Sequence, residues 1–184
     1  MSYSQHRTSS ANRIVRCAVV TLSDTRTTET DTSGKKIIEL LKTAGHLLAD
    51  YRILKDEPFE LTAALNALLG QADVDAILTT GGTGISRRDQ TVEVIEKILE
   101  QPLPGFGELF RFLSYQQIAS GAMLSRAVGG IARGKLIFAM PGSTGAVELA
   151  MTKLILPEVR HLAHILSEGV PAAVEGSGRN VVEP

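Results

Sequence analysis

Thr79-Thr80-Gly81-Gly82-Thr83-Gly84-Ile85-Ser86-Arg87-Arg88-Asp89-Gln90-Thr91 is the stretch on which the reading of this chain turns. It follows a short apolar run, Ala76-Ile77-Leu78, of the kind that forms a buried parallel strand. It precedes a segment that puts Val92, Ile95, Ile98 and Leu99 on one helical face. Strand, glycine turn, helix is the expected order. Glycines in such a turn can adopt positive φ and bring no Cβ between a ligand and the backbone. Successive N–H groups then form a concavity for an anion, and the following helix adds positive potential. A phosphate is the natural guest.

The segment lacks the G-x-x-x-x-G-K-[ST] spacing of a nucleotide-binding P-loop, and it is not G-x-G-x-x-G. It combines hydroxyls (Thr79, Thr80, Thr83, Ser86), two cations (Arg87, Arg88) and a carboxylate, Asp89. That mixture suits a phosphorylated ligand with a metal nearby. On the turn alone, an ordinary strand-to-helix connection with a solvated charged end stays open.

Upstream, Ile14 to Leu22 reads as a first strand, and Ser23-Asp24-Thr25-Arg26 ends it. Gly34 to Ala44 is an amphipathic helix with Ile37, Ile38, Leu40 and Leu41 inward, and Gly45 sits at its C-cap. His46 to Leu54 is a second strand, with Asp56 just past its end. Pro58 suits the first turn of a helix that runs to about Gly70. Downstream, a helix from Thr91 to about Glu100 is broken by Pro102 and Pro104. An apolar helix opens at Gly105-Phe106-Gly107-Glu108. Ser114 with Gln117 matches a capping box for a further turn. Ala127 to Ile131 and Leu136 to Met140 are strands around an Arg133-Gly134 turn. Pro141-Gly142-Ser143-Thr144-Gly145 is a second glycine-bearing turn, and a final helix runs past Pro157, kinked or split there.

This order argues a three-layer α/β/α domain over residues 14–167 with a mainly parallel sheet, flanked by loose segments at 1–13 and 168–184. Ligand crevices in such sheets lie beyond the carboxyl ends of the strands. Asp24, Asp56, the glycine turn with Asp89, and Pro141-Gly142-Ser143 are expected to converge there.

Composition narrows the field. With 184 residues and 43% hydrophobic content, the chain can bury a sizeable core. Its 19 Lys+Arg against 20 Asp+Glu and 4% aromatic content argue against a nucleic-acid partner. The single cysteine, Cys17, excludes an intrachain disulfide and lies in an apolar run, as a buried thiol would. No run is suited to span a membrane and no secretory signal is visible, so the expectation is a cytoplasmic protein. The four histidines lack ligand spacing for a metal site.

The motifs Thr79-Thr80-Gly81-Gly82-Thr83-Gly84, Arg88-Asp89-Gln90-Thr91, Pro104-Gly105-Phe106-Gly107-Glu108, Leu124-Ser125-Arg126-Ala127 and Pro141-Gly142-Ser143 together resemble the MoaB/MogA family of molybdenum cofactor biosynthesis proteins. Ser23-Asp24-Thr25-Arg26 is also similar, and the resemblance extends from about Val15 to Leu166. It implies a molybdopterin-binding domain assembled as a homotrimer or hexamer. For the MogA side it implies Mg²⁺-dependent transfer of adenylate from ATP to molybdopterin, releasing pyrophosphate. The two acidic positions of the family fall on Asp56 and Asp89, as catalytic groups and metal ligands. The substrate loops fall on Gly81 to Gly84 and Pro141 to Ser143, with Ser23, Asp24, Thr80 and Thr83 beside them. Arg87 and Arg88 are candidates to clamp phosphate, one of them being expected to stay solvated, and Glu108 is a minor catalytic candidate. Pro141-Gly142-Ser143-Thr144-Gly145 is closer to the MoaB form of the loop. A non-catalytic molybdopterin-binding or carrier protein is therefore the alternative.

Overall fold

The computed structural model describes Ser10 and residues 12–168. Most of the two segments expected to be loose lies outside the described residues. A six-stranded sheet is ordered β2-β1-β3-β6-β5-β4. β1 (Arg16–Leu22), β2 (Leu47–Leu54), β3 (Ala76–Thr80) and β6 (Lys135–Met140) pair in parallel. β5 (Val128–Ala132) runs antiparallel to β6 and to the two-residue edge strand β4 (Gln101–Pro102). Pro102 is tolerated because an edge residue need not donate to a ladder. The sequence had suggested only a break there.

The alternation along β1 sorts the core into two layers. Cys17 and Val19 join Leu78, Phe138 and Met140 under α1 (Thr32–Thr43), α4 (Pro104–Ile118), α5 (Thr144–Ala150) and α6 (Leu156–Glu168). Ala18, Val20 and Leu22 join Ile77 and Ile137 under α2 (Pro58–Leu69) and α3 (Thr91–Ile98). This is the expected three-layer architecture, with the central strands β1, β3 and β6 buried on both faces.

Local signals explain most element boundaries. Asp31 caps α1 by accepting from Gly34 N–H at 2.9 Å, so the helix starts two residues earlier than its apolar pattern suggests. Gly45, at φ +75°, lets the chain leave α1 in the left-handed conformation. Pro58 and Pro104 occupy first turns, where a missing N–H costs nothing. Arg133 and Gly134 both have positive φ and close the tight β5–β6 hairpin.

Two expectations need correction. Ser114 does not cap a new turn; α4 continues through it and buries it, so the Ser114/Gln117 spacing is coincidental within a continuous helix. The irregularity of the closing helix lies ahead of Pro157 rather than at it, and the α-helix Leu156–Glu168 runs through the proline. A π-helical turn over Met151–Ile155 joins α5 to α6 just ahead of the proline. Pro157 has no N–H to give to the preceding turn, and the widened turn absorbs that loss.

Candidate active site

In the order β2-β1-β3, the chain leaves β1 towards one side of the sheet and β3 towards the other. The crevice beyond their carboxyl ends is the topological switch point, where open α/β sheets bind ligands. The glycine turn fills that crevice. Gly81 and Gly82 have φ of +99° and +61°. A Cβ on Gly81 would lie 2.3 Å from the Leu22 carbonyl oxygen, so the turn can pack against the end of β1 only with glycine. A Cβ on Gly82 would lie 2.6 Å from Asp56 Oδ1, and one on Gly84 would lie 2.7 Å from Asp89 Oδ2. The two carboxylates, 33 residues apart in sequence, thus rest against neighbouring parts of one turn. Among the described residues, the Gly82 and Thr83 N–H groups have no protein acceptor.

The acids differ in state. Burial pushes the Asp56 carboxyl above its usual range, and the charges of Asp89 and Asp24 push it further; Arg88 only partly opposes them. Asp89 is held below the ordinary carboxylate range, first by hydrogen bonding from Ser86 and then by the Ser86 and Gly84 backbone. The Ser86 N–H to Asp89 Oδ2 distance is 2.9 Å. Asp24 accepts from Asp56 N–H at 3.3 Å and pairs with Arg88 at 3.1 Å. Arg88 also reaches Glu57 at 2.9 Å. Arg87 is exposed and has no ion-pair partner among the described residues, as expected of one of the two arginines.

The second loop is built from the other layer. Thr80 is fully buried and donates to the Pro141 carbonyl at 3.1 Å, which ties the two loops together. A Cβ on Gly142 would lie 3.3 Å from Gly81 Cα. Ser143 caps α5, accepting from Ala146 N–H at 3.2 Å. Ser23 accepts from the N–H groups of Thr25 and Arg26. These hydroxyl oxygens shape their own loops, and each O–H hydrogen stays available to a ligand.

Sequence reasoning assigned no role to three residues that hold the loops. Asp31 is wholly buried and accepts from Thr21 Oγ1 at 2.6 Å, Tyr51 O–H at 2.7 Å and Ser33 Oγ at 3.0 Å. Burial alone would raise its pKa, but these bonds and that from Gly34 outweigh it and hold the carboxyl low. Arg26 pairs with Asp31 at 3.1 Å and donates to the Gly142 carbonyl at 3.2 Å. Arg126 does the corresponding work for the glycine turn. It donates to the carbonyls of Thr83 at 3.2 Å and Asp89 at 2.5 Å and pairs with Glu93. Asp31 had a readable signal, an aspartate three residues before Gly34 at a helix start. The arginines had none beyond their motifs.

Glu108 is exposed and lines a cavity of about 650 Å³ between α3, α4 and β5, whose wall also includes Glu93 and Arg126. Among the described residues no group of three or more His, Cys, Asp or Glu side chains is arranged to hold a metal, and no helix is long and apolar enough to cross a membrane.

A switch-point crevice with positive-φ glycines, unpartnered amides and adjacent carboxylates defines an α/β protein of the open-sheet class, with a backbone concavity of a shape suited to an anionic group. The chain matches the family described as "Probable molybdopterin binding domain" over residues 18–161. It is 52% identical over 163 residues to molybdenum cofactor biosynthesis protein B of Halalkalibacterium halodurans, covering 88% of this chain and 95% of that protein. It is 50% identical over 169 residues to the Bacillus subtilis protein of that name, covering 91% and 97%. A crystal structure of molybdenum cofactor biosynthesis protein B superposes with a TM-score of 0.83 at 52% identity, covering 85% of this chain and 98% of that one. The tungsten cofactor synthesizing protein MoaB from Pyrococcus furiosus gives 0.74 at 35%, covering 85% and 97%. The chain belongs to the molybdopterin-binding family of molybdenum cofactor biosynthesis proteins and is of the MoaB type.

Proposed function

We propose that this chain binds molybdopterin at the switch-point crevice and adenylylates it with Mg-ATP. The observation that carries the reading is the meeting of Asp56 and Asp89 at the Gly81–Gly84 turn. In the reaction a terminal phosphate oxygen of molybdopterin attacks the α-phosphorus of ATP. The bond from that phosphorus to the bridging oxygen breaks, and pyrophosphate leaves. The nucleophile is already an anion, so no protein base is required. The protein has to bring two polyanions together and oppose their repulsion.

The residues present fit Mg²⁺. The donors are hard carboxylate oxygens, and Asp56 is pushed upward by neighbouring negative charge that a cation would relieve. Magnesium sites commonly use one or two carboxylates, with phosphate and water completing the shell, so a third acidic ligand is not needed. Asp89 and Asp56 would hold the ion, which supplies charge neutralisation at the phosphates. The Gly82 and Thr83 amides receive phosphate oxygens, and Ser143 and Ser23 hydroxyls donate to the ligand from the flanking loops.

Incubation with molybdopterin, ATP and Mg²⁺ should release pyrophosphate. Asp89→Ala should abolish release while leaving pterin binding largely intact; unaltered turnover would remove Asp89 from any metal role. One observation favours a second reading, that of a non-catalytic pterin carrier. Arg88 is already engaged by Asp24 and Glu57 rather than held ready for phosphate. Pterin binding without pyrophosphate would select that reading.

The same proposal includes self-association as a trimer or hexamer. Leu109, Phe112, Tyr115 and Ile118 on α4, with Met123 and Leu124 beyond it, are all more than half exposed. Apolar side chains clustered in this way mark a protein interface. Light scattering should find an assembly that Phe112→Glu disperses; a monomeric parent protein would refute this part.

A further inference from the structure

The loop between Gly84 and Gln90 carries Asp89; its exposed middle is held by the Ser86–Asp89 turn and by the solvent-facing pairs of Arg88 with Asp24 and Glu57. Ile85, Ser86, Arg87 and Arg88 are exposed, and Ile85 places an apolar side chain in solvent at 74% exposure. Both ends of the loop are nevertheless fixed by one planar group from a distant segment. Arg126 lies between a 3₁₀ turn (Ala119–Leu124) and β5, next to the buried Ala127. Its Nε donates to the Thr83 carbonyl at 3.2 Å, before the loop. Its Nη2 donates to the Asp89 carbonyl at 2.5 Å, at the loop's end. Its Nη1 pairs with Glu93 in the first turn of α3. Glu93 in turn is held below its ordinary range, chiefly by that bond.

We propose that Arg126 is a positioning residue that holds the Thr83–Asp89 loop closed and thereby aims the Asp89 carboxylate. Fixing the Asp89 carbonyl fixes the peptide from which its side chain departs. That side chain is then oriented by Ser86 and Gly84 within the same closed loop. The guanidinium fork can serve three acceptors in one plane, whereas an ammonium is a compact charge on a flexible stem. Lysine at position 126 cannot span Thr83, Asp89 and Glu93 together. The catalytic consequence rests on the adenylylation reading; the clamp itself does not.

Two measurements keep these separable. Hydrogen exchange of residues 84–88 is followed in the full chain and in Arg126→Lys and Glu93→Gln. Loss of charge-assisted bonds should accelerate exchange by about tenfold or more in Arg126→Lys, and by about threefold in Glu93→Gln, where the arginine stays but is less well held. Exchange of β1 and β3 should be unchanged in both. Unchanged exchange of 84–88 in Arg126→Lys overturns the clamp; if that variant does not fold, unchanged exchange in Glu93→Gln overturns it. Pyrophosphate release is then measured in the same proteins. A fall in kcat of about tenfold with the KM for ATP nearly constant supports aiming of Asp89, because a transition-state interaction is lost without ground-state binding. An undiminished kcat in a variant whose loop has loosened overturns the aiming role. Should the parent protein release no pyrophosphate, exchange still decides the clamp, and the aiming role falls with the adenylylation reading.

Discussion

Acidification from pH 7 to pH 5 should destabilise the fold by about 2 kcal/mol through one side chain, His46. The ring is only 3% exposed and sits between α1 and β2. Its Nδ1 accepts the Val15 N–H at 3.2 Å and so carries no proton, and its buried Nε2 has no hydrogen-bond partner among the described residues. Burial, with the charge of Arg160 added, lowers the pKa from 6.5 to about 4. The unfolded chain therefore takes up a proton near pH 6.5 that the folded protein refuses until about pH 4. Stability is full above the upper value, declines as the pH falls through it, and levels off near the lower one. The whole gap corresponds to about 3 kcal/mol, most of it lost by pH 5. Asp31 and Asp75, held low by their partners, lose their contributions only at still lower pH. Urea melts at pH 7, 6 and 5 should show the decline in the parent protein. His46→Gln keeps an acceptor for Val15 but does not titrate, and should be flatter by about 2 kcal/mol across that range. The difference between the two proteins isolates His46 from the oppositely shifted Asp56. Equal pH slopes in the two would refute the reasoning.

Three further outcomes are expected. Gly82→Ala forces a side chain into φ +61° and against Thr91 Oγ1 and Asp56, so calorimetry should show Tm lower by about 4–8 °C for about 2 kcal/mol of strain; an unchanged Tm would be contrary. Asp31→Ala strands the Tyr51, Thr21 and Arg26 donors and should cost about 3–5 kcal/mol in urea unfolding. Cys17 is fully buried, with its thiol pushed up to about 12 by burial, so a thiol reagent at pH 8 should modify it only as fast as the chain unfolds.

The centre of the sheet was legible because β1, β3 and β6 contain continuous apolar runs, and because proline and glycine punctuate the helices at positions with a clear physical meaning. The Gly81–Gly84 turn was legible for the same reason: a Cβ at these positions would meet backbone or a carboxylate. That Asp56 and Asp89 meet follows from both lying just past parallel strands on the same edge. β4 escaped because two residues carry no periodicity. Arg26 and Arg126 acquire their roles from contacts with backbone carbonyls distant in sequence, and such contacts leave no spacing to read; of Asp31, only the helix cap was legible, not its bonds to Thr21 and Tyr51. The exposed side of α4 was unreadable for a related reason: its apolar residues surround the helix, so pattern alone could not say which would face the core.

The β5–β6 hairpin turns at Arg133-Gly134 at the amino edge of β6, the end of the sheet remote from the glycine turn. Space around Gly134 is open, with nothing within 4 Å of where a Cβ would stand. A short peptide tag or a fluorophore grafted at this bend would tether the molecule by its far side. An immobilised chain would then present its crevice outward, ready for surface-based titration with pterins and nucleotides.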